Sequence, residues 1–371
     1  MHRNHLLLTT FLTLVTLGPV SVGAQSVPEA KVQCNTFNAT VRLDGRASVG
    51  QAIFAVCGEY QFMILNAAIQ GYVVVAPDYA GLGVDRDAEG NFIPHQYLAS
   101  NAAGYDLLYA AKAAKEAWPD VLGEDYVVMG HSQGGGAAWA AATILADPET
   151  PSLSWLRTGY RGTVAGSPWT SLTNALAHTS TAASLSSLVA RIATGLSSLF
   201  PTFQYADWLT PKGERAARLL QDLQGCQSVA AELLASDDLA RPDWNTSSWY
   251  AAALDRATSV VGRPFAGPML VLQGTDDPAV SARGTAAAVD ATCGAVRGAQ
   301  LELVEFGGVS HTPVMFAGQQ VWLDWVGDRF AGKAAASGCR RVRHEPLVDV
   351  AAYQKDRNWF LEWNQYSYGV A

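Results

Sequence analysis

A serine inside a glycine-bracketed motif is the residue whose surroundings best suit it to act as a nucleophile. The motif Gly130-His131-Ser132-Gln133-Gly134 fits the pattern G-x-S-x-G, in which a sharp strand-to-helix turn raises the serine hydroxyl above a sheet. Small flanking residues let neighbouring segments pass close to such a turn. Val127-Val128-Met129 before the motif is typical of a strand, and Gly135 to Ala146 after it is typical of a helix. The pattern predicts that Ser132 is a nucleophile.

A serine hydroxyl needs a base to take its proton, and chain order selects which histidine that is. In folds with this turn the order along the chain is Ser, then Asp or Glu, then His. His311 fits, because it follows a predicted strand and the flexible turn Gly307-Gly308-Val309-Ser310. The other histidines fit less well. His95 precedes the serine, and His131 lies inside the motif with its side chain expected to point elsewhere. His178 precedes the acid candidates, and His344 follows the last long helix.

The acid that orients the base is expected in the loop after the preceding strand. Two carboxylates lie there, Asp276 and Asp277. Asp277 forms a D-x-x-V pattern with Val280, whereas Asp276 could instead cap the turn. We predict Asp277 as the acid. The backbone N–H of Gln133, the residue after the nucleophile, is the predicted oxyanion donor. No cofactor or metal is expected, and no Cys or His spacing suggests zinc.

These residues must be held by an alternation of strands and helices that begins at Gln61. The alternation predicts an α/β fold with a mostly parallel sheet and helices on both faces, which places His311 at the carboxyl edge of the sheet. The predicted strands are Tyr72 to Ala76, Tyr126 to Met129, Arg161 to Ser167, Pro268 to Gln273 and Gln300 to Phe306. The predicted helices are Ala102 to Ala117, Gly134 to Ala146, Val280 to Thr292 and Pro313 to Phe330.

The alternation breaks between Thr170 and Pro268, where two long stretches are helical in composition. We predict that residues 170–267 form a helical cap over the sheet, and that 60–169 and 268–335 form the core. The alternative is that these are ordinary helices packed on a sheet face. Residues 336–371 are predicted to be a C-terminal extension beyond the core.

The amino terminus indicates the compartment. Arg3, the apolar run from Leu6 to Leu17 and the small residues Val22-Gly23-Ala24 predict a secretory signal peptide over residues 1–24, since the run is too short to span a membrane. No later segment is apolar for long enough to be a span. Secretion favours disulfides among the five cysteines, and the sequons at Asn38 and Asn245 are possible glycosylation sites.

The charge balance excludes nucleic acid as an expected partner. The formal net charge is −8, and no basic stripe is present. The one local basic cluster is interpreted as a solvated face; it comprises Arg340, Arg341, Arg343 and His344.

Four blocks of sequence, in order, resemble the secretory lipase family of fungi and bacteria, the lipase A type of α/β-hydrolase. The likeness extends from about Tyr60 to Trp363, and its blocks are Gly71 to Gly83, Gly130 to Gly135, Leu272 to Val280 and Ser310-His311. The resemblance implies a secreted lipase or esterase with Ser132, Asp277 and His311 as its triad and a cap over the acyl site. It also implies a disulfide between Cys293 and Cys339, with Cys226 as a cap cysteine.

The sequence departs from the family where the second oxyanion donor should be. The family resemblance calls for an H-G-T-type or acidic stretch followed by C-A-P-S, and residues 25–59 contain neither. One interpretation is a truncated or mis-spliced gene that lacks a strand and its loop. The other is that Ala55-Val56-Cys57-Gly58-Glu59 serves as a divergent oxyanion loop. Cys34 or Cys57 could replace the missing partner of Cys226.

The predicted function is acyl transfer from an ester through a covalent acyl-enzyme. The expected partner is an ester or lipid substrate, with transient contact to a lipid interface. The apolar stretch Leu188 to Phe203 in the cap favours medium or long acyl chains, although the same residues could be core packing. The rivals are a soluble esterase, a peptidase, and an inactive binding protein of the same fold.

Overall fold

The computed structural model of the protein describes residues 6–9, 40–43, 52–56, 62–82, 85–150, 153–176, 182–223, 225 and 227–346. Three of the five cysteines, Cys34, Cys57 and Cys226, lie outside these residues, as do the sequon asparagine Asn38 and the candidate histidine His178.

Seven strands form one parallel sheet, in the order β4-β3-β5-β6-β7-β8-β9. Their bounds are β3 Ala52–Val56, β4 Val73–Val75, β5 Tyr126–His131, β6 Tyr160–Gly166, β7 Met269–Gly274, β8 Leu301–Phe306 and β9 Cys339–His344. Two further strands, β1 (Leu6–Thr9) and β2 (Thr40–Leu43), pair antiparallel apart from this sheet. The predicted parallel α/β class is confirmed. β1 lies within the predicted signal peptide, which stays a prediction.

Thirteen helices accompany these strands in the described part of the chain. Seven of them belong to the core: α1 Phe62–Ile69, α2 Ser100–Ala117, α3 Gln133–Ala146, α4 Leu156–Gly159, α11 Ala282–Ala295, α12 Pro313–Ala317 and α13 Gln319–Phe330. The other six lie between β6 and β7: α5 Leu172–Leu176, α6 Ala182–Leu199, α7 Tyr205–Trp208, α8 Pro211–Asp222, α9 Gln227–Leu233 and α10 Tyr250–Thr258.

The central strands are buried on both faces. Every residue of β5 and of β7 is buried, as expected for a parallel sheet with helices on either side. Alternate residues of β5 enter different cores: Val128 packs in the cluster that contains Leu107 of α2, whereas Val127 packs in the cluster that contains Trp322 of α13. The helices therefore cover both faces of the sheet.

The carboxyl end of the chain differs from the prediction. Residues 336–371 were expected to lie outside the core, yet Cys339–His344 forms β9, which pairs with β8 along its whole length. The strand has no apolar run to mark it, because it is an edge strand and all but one of its residues are exposed. Its arginines form ion pairs at the surface, Arg340 with Glu302, Arg341 with Asp290 and Arg343 with Glu345.

Two further details refine the expectations. The helix predicted over Pro313 to Phe330 is divided at Gly318 into α12 and α13. Cys293 of α11 and Cys339 of β9 form a disulfide with Cα atoms 6.2 Å apart, which is the pairing that the family resemblance implied. In the described ranges, no helix combines the length and the apolar character that crossing a bilayer requires.

The segment before Tyr60 supplies an interior strand of the sheet, one strand in from the β4 edge. β3 lies between β4 and β5, and its last residue, Val56, is opposite Gly130 of β5. A strand beside the nucleophile strand is what the truncation interpretation held to be missing. Its presence favours the alternative, in which Ala55-Val56-Cys57-Gly58-Glu59 serves as the oxyanion loop, which stays a prediction because residues 57–61 lie outside the described ranges.

The inserted helices between β6 and β7 have an apolar core of their own. Buried residues from α6, α7, α8, α9 and α10 form one cluster with Leu98, and this cluster is distinct from the two that flank the sheet. The apolar residues of α6 that suggested an acyl site, such as Val189, Ile192 and Leu196, lie inside this cluster. They pack the insertion itself, so they carry no argument about acyl-chain length.

The glycines at the start of α3 have a packing reason to be there. A Cβ atom at Gly136 would clash with the backbone carbonyl of Trp169, in the segment that follows β6. Gly294 of α11, by contrast, has nothing within 4 Å of a built Cβ atom.

We predict that Gly136→Ala lowers the free energy of unfolding by about 2 kcal/mol or more, because rigid backbone must move to admit the methyl group. The matched variant Gly294→Ala should leave stability unchanged or raise it by up to about 1 kcal/mol, since alanine restricts the unfolded chain and favours helix. Urea unfolding of both variants measures this. Equal effects at the two positions would contradict the packing explanation.

Candidate active site

Ser132 lies on a strained turn between β5 and α3. Its backbone φ of 58° and ψ of −119° fall in a region that residues with a Cβ atom rarely adopt. The turn is held by the end of β6: Ser132 N–H donates to the Gly166 carbonyl at 2.8 Å, and Trp169 N–H donates to the Ser132 carbonyl at 3.1 Å. This is the turn that the G-x-S-x-G motif predicted, and it presents a partly buried Ser132 at the carboxyl edge of the sheet.

Asp277 and His311 form a direct hydrogen bond at the same edge. Asp277 follows β7, His311 follows β8, and His311 Nδ1 lies 2.7 Å from Asp277 Oδ2. The Asp277 side chain is 0% exposed, whereas that of His311 is 17% exposed. The loops that carry them are joined, because Asp276 N–H donates to the Val309 carbonyl at 3.0 Å. The carboxylate therefore fixes the orientation and the Nδ1–H tautomer of the imidazole.

Asp277 is stabilised in its ionised form. Burial raises the pKa of this carboxyl, but the hydrogen bond and charge of His311, the Val280 N–H and the Ser167 hydroxyl outweigh burial and leave the pKa below the ordinary 3.8. The N–H groups of Ala279 and Val280 both donate to Oδ1 at 2.8 Å. The buried Ser167 hydroxyl forms no hydrogen bond of ordinary geometry within the described structure, so His311 and the backbone N–H groups are the main groups that stabilise the carboxylate.

Gln273 also holds Asp277, and the sequence analysis missed it. This fully buried residue of β7 places its Nε2 3.1 Å from Asp277 Oδ2, while its Oε1 accepts from Thr285 of α11 at 2.7 Å. A glutamine inside an otherwise apolar strand is the signal that could have revealed it, since a buried amide needs partners.

His131 has a different place from the one expected. Its side chain was predicted to point away from the site, but its ring lies 4.5 Å from the His311 ring, centroid to centroid. His131 Nε2 donates to the His311 backbone carbonyl at 2.9 Å. Burial, followed by the neighbouring His311, lowers the pKa of His131 to about 3, so the ring is neutral and steadies the loop that carries His311.

His131, whose ring contacts that of His311, is the residue that precedes Ser132 in the chain. Within the described structure no hydrogen bond yet joins Ser132 to His311; such bonds commonly align only in the substrate complex. The backbone N–H of Gln133 is bound to no described residue, as expected for the first residue of a helix. It is therefore available to an anion at the helix amino terminus.

The remaining candidates are placed as follows. Asp276 is exposed, 3.2 Å from the Thr275 hydroxyl, and does not contact His311. His344 is exposed on β9, whereas His95 contacts the Gln133 side chain. Among the described residues, no group of three or more His, Cys, Asp or Glu side chains is arranged to hold a metal ion.

Comparison with known proteins agrees with this architecture. The sequence model of the alpha/beta hydrolase family matches residues 52–324. The chain belongs to this family. It is similar in structure to a protein from Legionella pneumophila described as a hydrolase, at 15% identity and a TM-score of 0.64 over 80% of this chain and 84% of that one.

Two further solved structures are similar. Candida antarctica lipase A has 19% identity and a TM-score of 0.63 over 83% of this chain and 76% of that one. The rice cell wall degrading esterase LipA from Xanthomonas oryzae has 15% identity and a TM-score of 0.56 over 78% and 83%. At such identities the likeness shows the fold alone. No curated protein sequence matches the chain.

We predict that Asp277→Asn lowers kcat for ester hydrolysis by about 10³- to 10⁴-fold, because the amide no longer holds the imidazole in its useful tautomer. The neighbouring Asp276→Asn should stay within about twofold of wild type, since that carboxylate makes no contact with His311. Steady-state kinetics of the pair measures this. A large loss in Asp276→Asn with none in Asp277→Asn would reverse the assignment of the acid.

The lowered pKa of Asp277 predicts a pH dependence of stability. The unfolded carboxyl titrates near 3.8 and the folded one below it, so the stabilisation is complete above 3.8 and is lost as the pH falls through the folded pKa. The difference in free energy of unfolding between wild type and Asp277→Asn should therefore shrink over that window. Urea unfolding between about pH 6 and pH 2 measures it. A difference that stays constant or grows at low pH would contradict the sign.

Proposed function

We propose that the protein is a carboxylic-ester hydrolase that acts through Ser132, His311 and Asp277. The single observation that carries this is the 2.7 Å hydrogen bond between a buried Asp277 and His311, at the sheet edge where the strained turn presents Ser132. Strand order supports it, because β5, β7 and β8 end at that edge.

The geometry supports a two-step acyl transfer. His311 Nε2 takes the proton of the Ser132 hydroxyl as the oxygen attacks the ester carbonyl, and Asp277 stabilises the imidazolium that forms. The Gln133 N–H donates to the oxyanion, the alcohol leaves with the proton of His311, and water then releases the acid by the reverse transfers. We propose that the segment Ala55 to Glu59 supplies the second donor, since β3 ends at Val56, opposite Gly130 of the nucleophile strand.

We propose acyl esters, including lipids, as substrates and secretion as the destination. The resemblance to secretory lipases and the neighbouring lipase and esterase folds support the ester class. The Cys293–Cys339 disulfide suits an oxidising compartment. For contact with a lipid interface, the supporting feature is Trp249, which is 56% exposed on the inserted helices with its ring 5.2 Å from that of Phe200.

A fluorophosphonate probe tests the nucleophile. The folded wild-type protein should be labelled at Ser132 and should lose esterase activity in proportion to labelling, because the probe reacts only with an activated serine. Ser132→Ala should neither label nor hydrolyse esters, whereas Ser337→Ala, which removes an exposed serine remote from the site, should behave as wild type. An unlabelled, inactive but folded wild type would favour the inactive binding protein.

The acyl-chain preference must be measured from the rates of ester hydrolysis, because the fold does not determine it. Comparing kcat/KM for p-nitrophenyl acetate, octanoate and palmitate separates a short-chain esterase from a lipase. For a lipase we expect the longer esters to be preferred by about tenfold or more, since each buried methylene contributes about 0.8 kcal/mol of binding. A preference for acetate would support a short-chain esterase and contradict the lipase proposal.

A further inference from the structure

A histidine that the proposed mechanism does not use holds the side chain of Gln133. Gln133 Nε2 lies 3.2 Å from His95 Nε2, and His95 Nδ1 lies 3.3 Å from the Ala80 carbonyl oxygen. A carbonyl oxygen only accepts, so Nδ1 carries the proton of the ring. Nε2 is then a lone-pair acceptor, and the Gln133 amide donates to it. Both ring nitrogens therefore take part in hydrogen bonds, Nδ1 with Ala80 and Nε2 with Gln133.

The surroundings of His95 keep the ring neutral. It stacks on Tyr79 with ring centroids 5.4 Å apart and lies 6.2 Å from Tyr97. Burial lowers the pKa of His95 to about 4; the bond to Ala80 opposes this and the positive charge of Arg191 adds to it. At neutral pH the ring can therefore accept the hydrogen bond that the geometry assigns to it.

Residues 95–97, here called the strap, are pressed against helix α6 of the inserted helices. A Cβ atom at Gly195 would lie 2.5 Å from the His95 carbonyl oxygen and 2.7 Å from the Gln96 Cα, so the helix backbone touches the strap directly. Gln96 Nε2 donates to the Ser198 hydroxyl at 2.9 Å. These contacts, with Arg191 stacked 4.0 Å from the Tyr97 ring, lie along one face of α6.

The other side of His95 is anchored to the core. Ala80 belongs to the turn after β4 in which Leu82 N–H donates to the Tyr79 carbonyl at 2.9 Å. The N–H of Ala80 donates to Asp106 of α2 at 3.0 Å. His95 thus lies where the core turn, the strap and the first residue of α3 meet.

We propose that His95 is a positioning residue for Gln133, and that helix α6 holds it in place. The bond to His95 fixes the side chain of the residue whose backbone N–H faces the oxyanion, at the first turn of α3, where helix residues are least restrained. The inserted helices then influence the rate without touching the reacting atoms. This inference rests on the proposed function.

The first test compares two substitutions of His95 on a soluble short-chain ester. His95→Phe keeps the stacking on Tyr79 and removes the acceptor, and we expect kcat to fall about tenfold with KM within about twofold, less than the loss of an oxyanion donor. His95→Gln places an amide oxygen near the lost Nε2 and should recover activity to within about threefold of wild type. His344→Phe replaces an exposed histidine of β9 whose ring stacks on Phe306 and that makes no contact with His95 or Gln133, and it should change neither constant.

The second test is a double-mutant cycle with Gln133→Leu. If His95 acts through Gln133, His95→Phe should lower kcat by less than about twofold in the Gln133→Leu background. Gln133→Leu alone should reproduce the loss seen in His95→Phe, which keeps the proposal testable if the histidine variant fails to fold. Gly195→Ala, which displaces the strap without changing either residue, should lower kcat in the same direction, with Gly294→Ala as its control.

The outcomes separate this proposal from the one on which it depends. A wild type that neither hydrolyses esters nor takes the fluorophosphonate label contradicts the proposed function, and the role of His95 falls with it. An active wild type in which the effects of His95→Phe and Gln133→Leu multiply, or in which the change is confined to KM, contradicts the role of His95 alone. So does a His95→Gln variant no more active than His95→Phe.

Discussion

A buried carboxylate with every lone pair occupied is the constraint on which the site depends. Taking Asp277 out of water would be costly if it stood alone, because an unpaired buried charge loses its hydration without replacement. Two backbone N–H groups, the Gln273 amide and the His311 ring supply the replacement. The imidazole is thereby held in one tautomer and one orientation. Without that arrangement, the proposed base His311 would have no fixed orientation.

The parallel sheet makes this arrangement possible among residues far apart in the chain. Since β5, β7 and β8 run the same way, the segments that leave them emerge at one edge, and the loops after β7 and β8 bond to each other there. Two neutral histidines form further hydrogen bonds around the site. His131 donates to the backbone carbonyl of His311, and His95 accepts from the side chain of Gln133. Burial lowers the pKa of both supporting histidines, so both rings are uncharged at neutral pH.

Much of the core could be predicted because its signals are local. The apolar strands and the motif around Ser132 mark themselves within a few residues, and chain order then selects Asp277 and His311. β9 was not predicted, because this arginine-rich edge strand is held in the sheet by backbone pairing and a disulfide. Neither of these leaves an apolar pattern in the sequence. β3 was missed although Ala52–Val56 is an apolar run, because an apolar run of that length does not by itself distinguish a buried strand from part of a helix. Gln273, His131 and His95 act through contacts between distant segments, which no spacing rule encodes.

Trapping the acyl-enzyme tests the central claim most directly. Wild-type protein mixed with a p-nitrophenyl ester and quenched in acid during the first turnovers should carry one acyl group, and peptide mass spectrometry should locate it on Ser132. In Asp277→Asn the adduct should form much more slowly on the same residue. An active protein with no adduct, or with the acyl group on a different side chain, would contradict the account.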